Sequence, residues 1–219
     1  MGTGQFTQAV QASFPAGITL PAPLAEALDW LDEHGHVLQT RTGPVATLLS
    51  PAERESSVGA GGAAFHPVPG DFGHWWLASD DTRVTGRLAA FVATGADGSE
   101  AGIWVDDAGR QQFVHLGSGS GSIWSGVITA DPVDFLRLLA VGYDELCWPE
   151  HHEVGPAQAY ADEDGPAGGW VAPAAFRTWL TGRFGVTVPA TAREVVPVPD
   201  DRDGNRADDP FGAWLDLGR

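Results

Sequence analysis

The chain has 219 residues, of which 29 are acidic and 12 are basic, so its formal net charge at pH 7 is −17. A chain this acidic repels nucleic acid and anionic membranes, so neither is an expected partner, and a charged partner would be a basic protein. Acidity that only keeps the protein soluble would produce the same composition, and this alternative stays open.

The length suits one well-filled domain, and 43% of the residues are hydrophobic, which is ordinary for a globular fold. Cys147 is the only cysteine, which excludes an internal disulfide and a cysteine zinc cluster. The first residues show no basic region followed by an apolar core, and no apolar run approaches the length of a membrane span. A cytoplasmic location is therefore expected.

The first predicted element is a helix over residues 21–34. Leu24, Leu28 and Leu31 recur at helical spacing and form one apolar stripe. Gly35 follows directly, and glycine readily adopts the left-handed conformation that ends a helix. The segment is therefore expected to pack one face against the core.

The middle of the chain has the pattern of an antiparallel meander. Strands are predicted within 44–50 and 74–79, separated by a loop over 51–73 that is rich in Gly, Ala and Pro. Residues 87–128 then alternate apolar segments with short turns, as in "RLAAFVAT", "AGIWVD", "FVHL" and "SIWSGVIT". Short turns between successive strands favour antiparallel pairing.

Two more helices and a tail complete the chain. Asp131 followed by proline is typical of a helix start, and Pro173 opens a further helix. The predicted fold class is α+β: a single domain over residues 1–196 in which several helices pack against a mainly antiparallel sheet, with mixed pairing left open. Residues 197–219 are expected to form a mobile, acidic, Pro- and Asp-rich tail, with docking of "PFGAWL", 210–215, left open as an exception.

The alternating run "GSGSGS" at 117–122 raises the question of a phosphate-binding loop. A dinucleotide fingerprint needs a third glycine and a following helix, whereas a strand pattern follows here. A P-loop needs a lysine, and the chain contains none. No serine has glycine at both −2 and +2, so the nucleophile elbow is absent as well. The run is therefore interpreted as a loop between two strands.

Metal-binding patterns are equally weak. His151 and His152 are adjacent, and adjacent positions on a helix point in different directions and do not face one metal ion. Residues 201–209 resemble a calcium loop only superficially, because the glycine is displaced and no glutamate closes the loop. The sequence thus predicts no catalytic residue, no metal and no cofactor.

Tryptophans near acidic residues suggest a contact surface. The chain has nine tryptophans, and an exposed tryptophan edged by carboxylates is typical of a protein interface. The alternative for each tryptophan is a place in the core. The predicted partner-binding residues are Trp75, Trp76, Asp106, Asp107, Trp148 and Glu150.

The segments "ATGADGSEAGIWVD" and "FVHLGSGSGSIWSGVITADPVDFLRLLAVGYDELCWPE" resemble the SUKH superfamily of Smi/Knr type. The resemblance covers residues 20–190. It includes a glycine-bearing turn before an apolar strand, a glycine at a later strand end and an aromatic helix entry. These features are Asp97-Gly98, Leu116-Gly117 and Phe135-Leu136.

This resemblance implies an α+β domain that has no catalytic residues. Bacterial members are similar to immunity proteins, which bind and neutralise a cognate toxin, so the expected partner is a basic toxin domain such as a nuclease. Fungal relatives act as regulatory scaffolds, and a module that binds a host protein is the alternative. A hydrolase is a third hypothesis, which a pocket holding a histidine within hydrogen-bond reach of a carboxylate would favour.

Overall fold

Seven strands form one antiparallel sheet whose spatial order, β1 to β7, is also their order along the chain. The computed structural model describes residues 4–57, 62–69, 81–161 and 169–217. Each strand in this part of the chain pairs antiparallel with the next. Helices accompany the sheet, so the predicted α+β class is confirmed.

The strands are short and are joined mainly by turns. Their bounds are β1 Val37–Thr40, β2 Gly43–Thr47, β3 Ala64–Phe65, β4 Leu88–Ala93, β5 Glu100–Val105, β6 Gln111–Leu116 and β7 Ser125–Thr129. The strands predicted at 44–50 and between 87 and 128 are confirmed, whereas β1 and β3 were not predicted. The strand predicted at 74–79, with Trp75 and Trp76, lies outside the described residues.

The helices lie before, between and after the strands. Their bounds are α1 Gln5–Ser13, α2 Ala22–Glu33, α3 Pro51–Ser56, α4 Thr82–Thr85, α5 Pro132–Val141, α6 Pro156–Ala159, α7 Ala174–Phe184 and α8 Pro210–Leu217. Short 3₁₀ turns are present at Pro149–His151 and Ala192–Glu194. The helices predicted to start near residues 21, 131 and 173 are therefore α2, α5 and α7.

The two ends of α5 follow from local chemistry. Asp131 Oδ1 accepts hydrogen bonds from the backbone N–H of Val133 at 2.7 Å and of Asp134 at 3.2 Å, so it caps the helix. Gly142 ends the helix with φ 79°, and a Cβ there would lie 2.6 Å from Pro173 Cδ. Conformation and space both require glycine at this position.

The sheet has an apolar core on each face. The larger core lies against α1, α2, α5 and α7, and in it Phe113 of β6 stacks on Phe135 of α5 with ring centroids 4.4 Å apart. The smaller core, on the other face, consists of Leu88, Ala90, Trp104, Val114, Leu116 and Phe211. The side chains of consecutive residues of β5 therefore pack in different cores, because successive side chains of a strand point to opposite faces.

The N-terminal helix α1 was not predicted from the sequence. Phe6 and Val10 are fully buried in the larger core, and the hydroxyl of Thr7 donates to Asp29 Oδ1 of α2 at 2.6 Å. With so few large apolar residues, the amphipathic stripe of α1 is too short to be distinctive. Its place is decided by contact with α2.

The C-terminal segment packs on the sheet. Phe211 of α8 is fully buried with its ring 5.4 Å from that of Trp104, and Trp214 stacks on Phe211 at 5.7 Å. Docking of residues 210–215, left open by the sequence, is what the structure has. The expectation of a mobile tail is wrong for the described part of the segment, 197–217, because Phe211 is fully buried and side chains such as Asp200 and Asp209 accept backbone hydrogen bonds within it.

Candidate functional site

The Gly/Ser run at 117–122 lies in the loop that joins β6 to β7, and the side chain of Asp97 holds this loop in place. Asp97 Oδ2 accepts hydrogen bonds from the backbone N–H of Ser122 at 2.8 Å and from the hydroxyl of Ser118 at 2.7 Å. The N–H and the hydroxyl of Ser99 each donate to the same carboxylate at 2.9 Å. The run is therefore a shaped loop between strands, as predicted.

These donors keep Asp97 ionised. Partial burial by itself would raise the pKa of this carboxyl, but the hydrogen bonds from Ser122, Ser118 and Ser99 outweigh it and lower the pKa to about 2. Serine suits this role because its short hydroxyl reaches a nearby acceptor without a long side chain to order. The loop conformation is thus set before any partner arrives.

Trp148 packs over this loop where glycine leaves room. A Cβ at Gly121 would lie 2.9 Å from Asp97 Oδ2 and 3.2 Å from Trp148 Cη2. Trp148 Nε1 donates to Glu145 Oε2 at 2.7 Å, and Glu145 Oε1 accepts from the backbone N–H of Ala96 at 3.3 Å. The indole is therefore fixed both by packing and by a hydrogen bond.

We define the Trp148 patch as Glu145, Trp148 and Glu150 together with Ile123, which lies two residues after Gly121 in the loop that Trp148 packs against. Ile123 is 53% exposed, Trp148 is half-buried and Glu150 is exposed. Within the described residues, neither glutamate forms an ion pair with an arginine. Apolar anchors beside carboxylates that lack a cationic neighbour suit contact with a basic protein surface.

The structure brings together only some of the predicted partner-binding residues. Trp148 and Glu150 both belong to the Trp148 patch. Asp106 and Asp107 follow the far end of β5, whose six residues span roughly 17 Å. The four predicted residues that the structure describes therefore occupy two different regions, at opposite ends of β5.

Asp106 and Asp107 border an open groove of about 450 Å³ beside Trp104. Arginines neutralise three of the carboxylates around it. The ion pairs, each 2.8 Å long, are Asp106–Arg110, Asp107–Arg87 and Asp208–Arg206. Because each of these aspartates already has a cationic neighbour, the groove attracts a basic partner less strongly than the Trp148 patch does.

Burial keeps two histidines near the loop neutral. His115 Nδ1 lies 3.0 Å from the carbonyl oxygen of Trp124 and Nε2 lies 2.9 Å from the hydroxyl of Thr94, so both nitrogens are engaged. Burial lowers the pKa of His115 to about 3. Burial likewise lowers the pKa of His152 to about 4, and its Nε2 lies 2.9 Å from the carbonyl oxygen of Leu146. Both rings are neutral packing elements at pH 7.

A further histidine does lie beside a carboxylate. His66 Nε2 is 2.9 Å from Glu100 Oε2 and Nδ1 is 3.0 Å from the carbonyl oxygen of Pro67. Burial alone would lower the pKa of His66, but the hydrogen bond and charge of Glu100 outweigh it and raise the pKa. Since both ring nitrogens face acceptors, His66 has no nitrogen free to accept a proton from a substrate.

Nucleophile and metal chemistry find little support in the described residues. Burial raises the pKa of the Cys147 thiol to about 12, so a reactive thiolate does not form. No group of three or more His, Cys, Asp or Glu side chains in this part of the chain is placed to hold a metal ion. In the calcium-like segment, Asp201 Oδ1 accepts from the N–H groups of Asp203 and Asn205, both at 2.9 Å, and so closes its own turn.

Among the helices that the structure describes, none has the length and apolar character needed to cross a membrane.

Sequence analysis missed two members of the patch. Ile123 directly follows the Gly/Ser run, and a large apolar residue in an otherwise polar loop is a local signal of a contact point. Glu145 precedes Trp148 by three residues, a spacing at which side chains meet within a helical turn. The contacts of Asp97 with Ser118 and Ser122 had no local signal, because these serines lie 21 and 25 positions away.

Comparison with known proteins assigns no family to this chain. No family model, no curated protein and no solved structure matches it. The resemblance to the Smi/Knr type therefore stays a prediction, and function must be inferred from the surface itself.

Proposed function

We propose that this chain is a non-catalytic binding domain on which a basic protein docks at the Trp148 patch. The observation that carries the proposal is a half-buried Trp148 that donates to Glu145 and packs against Gly121, with exposed Glu150 two residues after it and exposed Ile123 two residues after Gly121. Tryptophan is enriched among the residues that dominate binding energy at interfaces. Carboxylates around it favour partners of opposite charge.

The fixed loop lowers the cost of binding. Asp97 already holds the loop through four hydrogen bonds from Ser99, Ser118 and Ser122. Trp148 is held by Glu145. A surface that is ordered before contact loses less conformational entropy when a partner covers it, so more of the contact energy contributes to affinity.

The partner class that fits best is a toxin domain with a basic substrate groove, such as a nuclease. The resemblance described above implies an immunity protein, and the net charge of −17 would accelerate association with a basic groove and replace the displaced nucleic acid. We infer an immunity protein that acts in the cytoplasm. A regulatory module that binds a basic host protein through the same patch is the alternative.

Isothermal titration calorimetry against the toxin domain encoded nearest to this gene tests the proposal. We expect tight binding that weakens as salt is added, because screening reduces the attraction between the patch and a basic partner. Failure of the folded chain to bind that domain at low salt would contradict the immunity assignment and favour the regulatory module.

Matched variants locate the surface. Trp148→Ala is expected to weaken binding by about 30-fold, the effect of losing a central interface tryptophan. Ile123→Ser should weaken binding as well. Leu38→Ser should not, since Leu38 is a second exposed aliphatic residue, 39% exposed, on β1.

Glu150→Gln should reduce the salt dependence of binding, and Asp107→Asn at the far end of β5 should leave it unchanged. If Asp107→Asn reduced the salt dependence and Glu150→Gln did not, the interface would lie at the groove beside Asp107.

A further inference from the structure

A groove of about 430 Å³ lies between the loop that joins β6 to β7 and the helix α8. Its lining comes from this loop, from the segment before α8 and from α8 itself, and includes Ile123, Asn205, Asp209, Ala213, Leu215 and Asp216. Ile123 is also a member of the Trp148 patch. The groove is therefore continuous with the surface on which a partner is proposed to dock.

The turn before α8 fixes one edge of this groove. Gly204 has φ 88°, and a Cβ there would lie 2.7 Å from Pro149 Cβ, so the turn packs directly beside the residue that follows Trp148. On its other side, Asn205 Oδ1 accepts a hydrogen bond from the backbone N–H of Ser125 at 3.1 Å. The groove is thus held between the sheet and the Trp148 patch.

One carboxylate of the groove has no cationic neighbour. Asp216 is exposed and forms no ion pair in the part of the chain that the structure describes. Asp209 is occupied by the backbone N–H of Val127 at 2.9 Å and by two N–H groups at the start of α8. Arg206 also lines the groove, but Asp208 lies 2.8 Å from its guanidinium. The groove therefore presents an unpaired negative charge.

The space beside Asp216 is open and partly apolar. Ala213 and Asp216 are three positions apart on α8, a spacing that places both side chains on one helix face. At Gly212, on the same helix, a Cβ would have no closer neighbour than Asp209, at 3.9 Å. Small residues on α8 thus leave room for a side chain with an aliphatic stem and a charged end, which packs its stem on apolar surface.

We propose that this groove is an arginine subsite, in which the basic partner inserts an arginine whose stem lies against Ile123 and Leu215 and whose guanidinium pairs with Asp216. The inference rests on the proposed function, because it names a side chain that the partner contributes beside the Trp148 patch. Charge complementarity selects the occupant, since an acidic or neutral side chain would leave Asp216 unpaired. A planar guanidinium can also bind both oxygens of a carboxylate.

A nuclear magnetic resonance titration of the isotope-labelled full-length chain with N-acetyl-arginine amide tests the subsite without the partner. We expect saturable shifts with a Kd on the order of 1 mM, largest at the amides of Ile123, Ala213 and Asp216. N-acetyl-citrulline amide has the same shape and no charge, and should bind about fivefold more weakly. Shifts that do not saturate, shifts centred elsewhere, or equal affinity for the two probes would each overturn the proposal.

Two exposed positions provide matched variants for the same titration. Asp216→Asn should reduce the affinity for the arginine probe to that for citrulline, whereas Asp203→Asn, in the exposed turn before α8, should not. Ala213→Gln should fill the groove and abolish binding, whereas Ala22→Gln, at an exposed position of α2, should leave it unchanged. Loss of binding in either control would show general charge or surface effects and overturn the assignment. The comparison of the two probes on the wild type decides the matter even if a variant fails to fold.

The toxin domain then separates this inference from the proposed function. If it binds, Asp216→Asn should weaken its binding about fivefold, and an unchanged affinity would overturn the subsite while the binding function stands. If it does not bind but the arginine probe occupies the groove, the subsite stands and the immunity assignment fails.

Discussion

Asp97 shows, at the scale of a residue, how one carboxylate sets the shape of a functional loop. It accepts four hydrogen bonds from Ser99, Ser118 and Ser122, which belong to two different loops. A carboxylate suits this position because its two oxygens offer about four acceptor sites and carry a charge that strengthens each bond. The position of Trp148 over Gly121 depends on the same arrangement.

Replacement of Asp97 by asparagine is expected to lower the free energy of unfolding by about 2 kcal/mol at pH 7, since hydrogen bonds to a charged acceptor are lost. The pKa of Asp97 lies below its ordinary value of 3.8, at about 2. Its contribution is therefore present above pH 4 and disappears as the pH falls toward 2. Urea denaturation of the wild type and the variant measures the difference in the free energy of unfolding. The control is Asp107→Asn, because the Asp107 side chain is 91% exposed; it should change that free energy by less than about 0.5 kcal/mol. Equal losses in both variants would contradict the role of Asp97.

Burial of His115 determines how the free energy of unfolding responds to acid. Its pKa in the folded chain is lowered from 6.5 to about 3 by burial, so the unfolded chain binds more protons as the pH falls below 6.5, and stability falls with it. Between pH 7 and pH 5 this one histidine should cost about 2 kcal/mol. His115→Gln should be less stable at pH 7, because the ring no longer stacks on Trp124, but should lose about 2 kcal/mol less on acidification. Identical pH dependence in wild type and variant would contradict the burial-induced shift.

At the scale of the element, the helices differ in how they are specified. α2, α5 and α7 carry apolar faces or terminal signals that the sequence displays, such as Asp131 before α5 and Gly185 with φ 67° after α7. α1 and α8 have weaker patterns and gain their stability mainly from burial of Phe6 and Phe211. Short helices are marginal alone and depend on tertiary packing.

Phe6→Ala tests whether α1 belongs to the core. Removal of a fully buried phenylalanine is expected to lower the free energy of unfolding by about 4 kcal/mol, from lost apolar burial and the cavity that remains. Gln8→Ala, at an exposed position of the same helix, should change it by less than about 0.5 kcal/mol. Chemical denaturation of both variants provides the measurement. A small effect of Phe6→Ala would mean that α1 detaches without disturbing the sheet.

At the scale of the whole molecule, the sheet connects nearly all elements. It extends without interruption from β1 to β7, and the larger core includes residues from Phe6 to Val196. α8 then covers the other face through Phe211. Because α1 and α8 both pack on this one sheet, no boundary divides the described residues into parts with separate sheets.

The chain is therefore expected to unfold in one cooperative step. The denaturation curves followed by far-UV circular dichroism and by tryptophan fluorescence should coincide, because helices, strands and tryptophans share the same cores. Limited proteolysis is the complementary measurement. A dominant cut within 117–122 that releases two independently stable halves would contradict this expectation.

The sequence by itself determined the α+β class, the antiparallel meander between residues 87 and 128, and the helices α2, α5 and α7. It also decided the nature of the Gly/Ser run at 117–122, because a strand pattern follows and lysine is absent. These features depend on local periodicity, caps and turns, which residues close together in the sequence specify.

Only the tertiary structure decided which residues share a surface. It packs Trp148 against Gly121 of the loop that carries Ile123, places Asp106 and Asp107 at the other end of β5, and sets Asn205 and Asp209 against the edge of β7. The physical reason is that these contacts link residues from 25 to 82 positions apart, as in Asp97 with Ser122 and Val127 with Asp209. Hydrogen bonds of this range follow from packing of the whole sheet, and no local pattern encodes them.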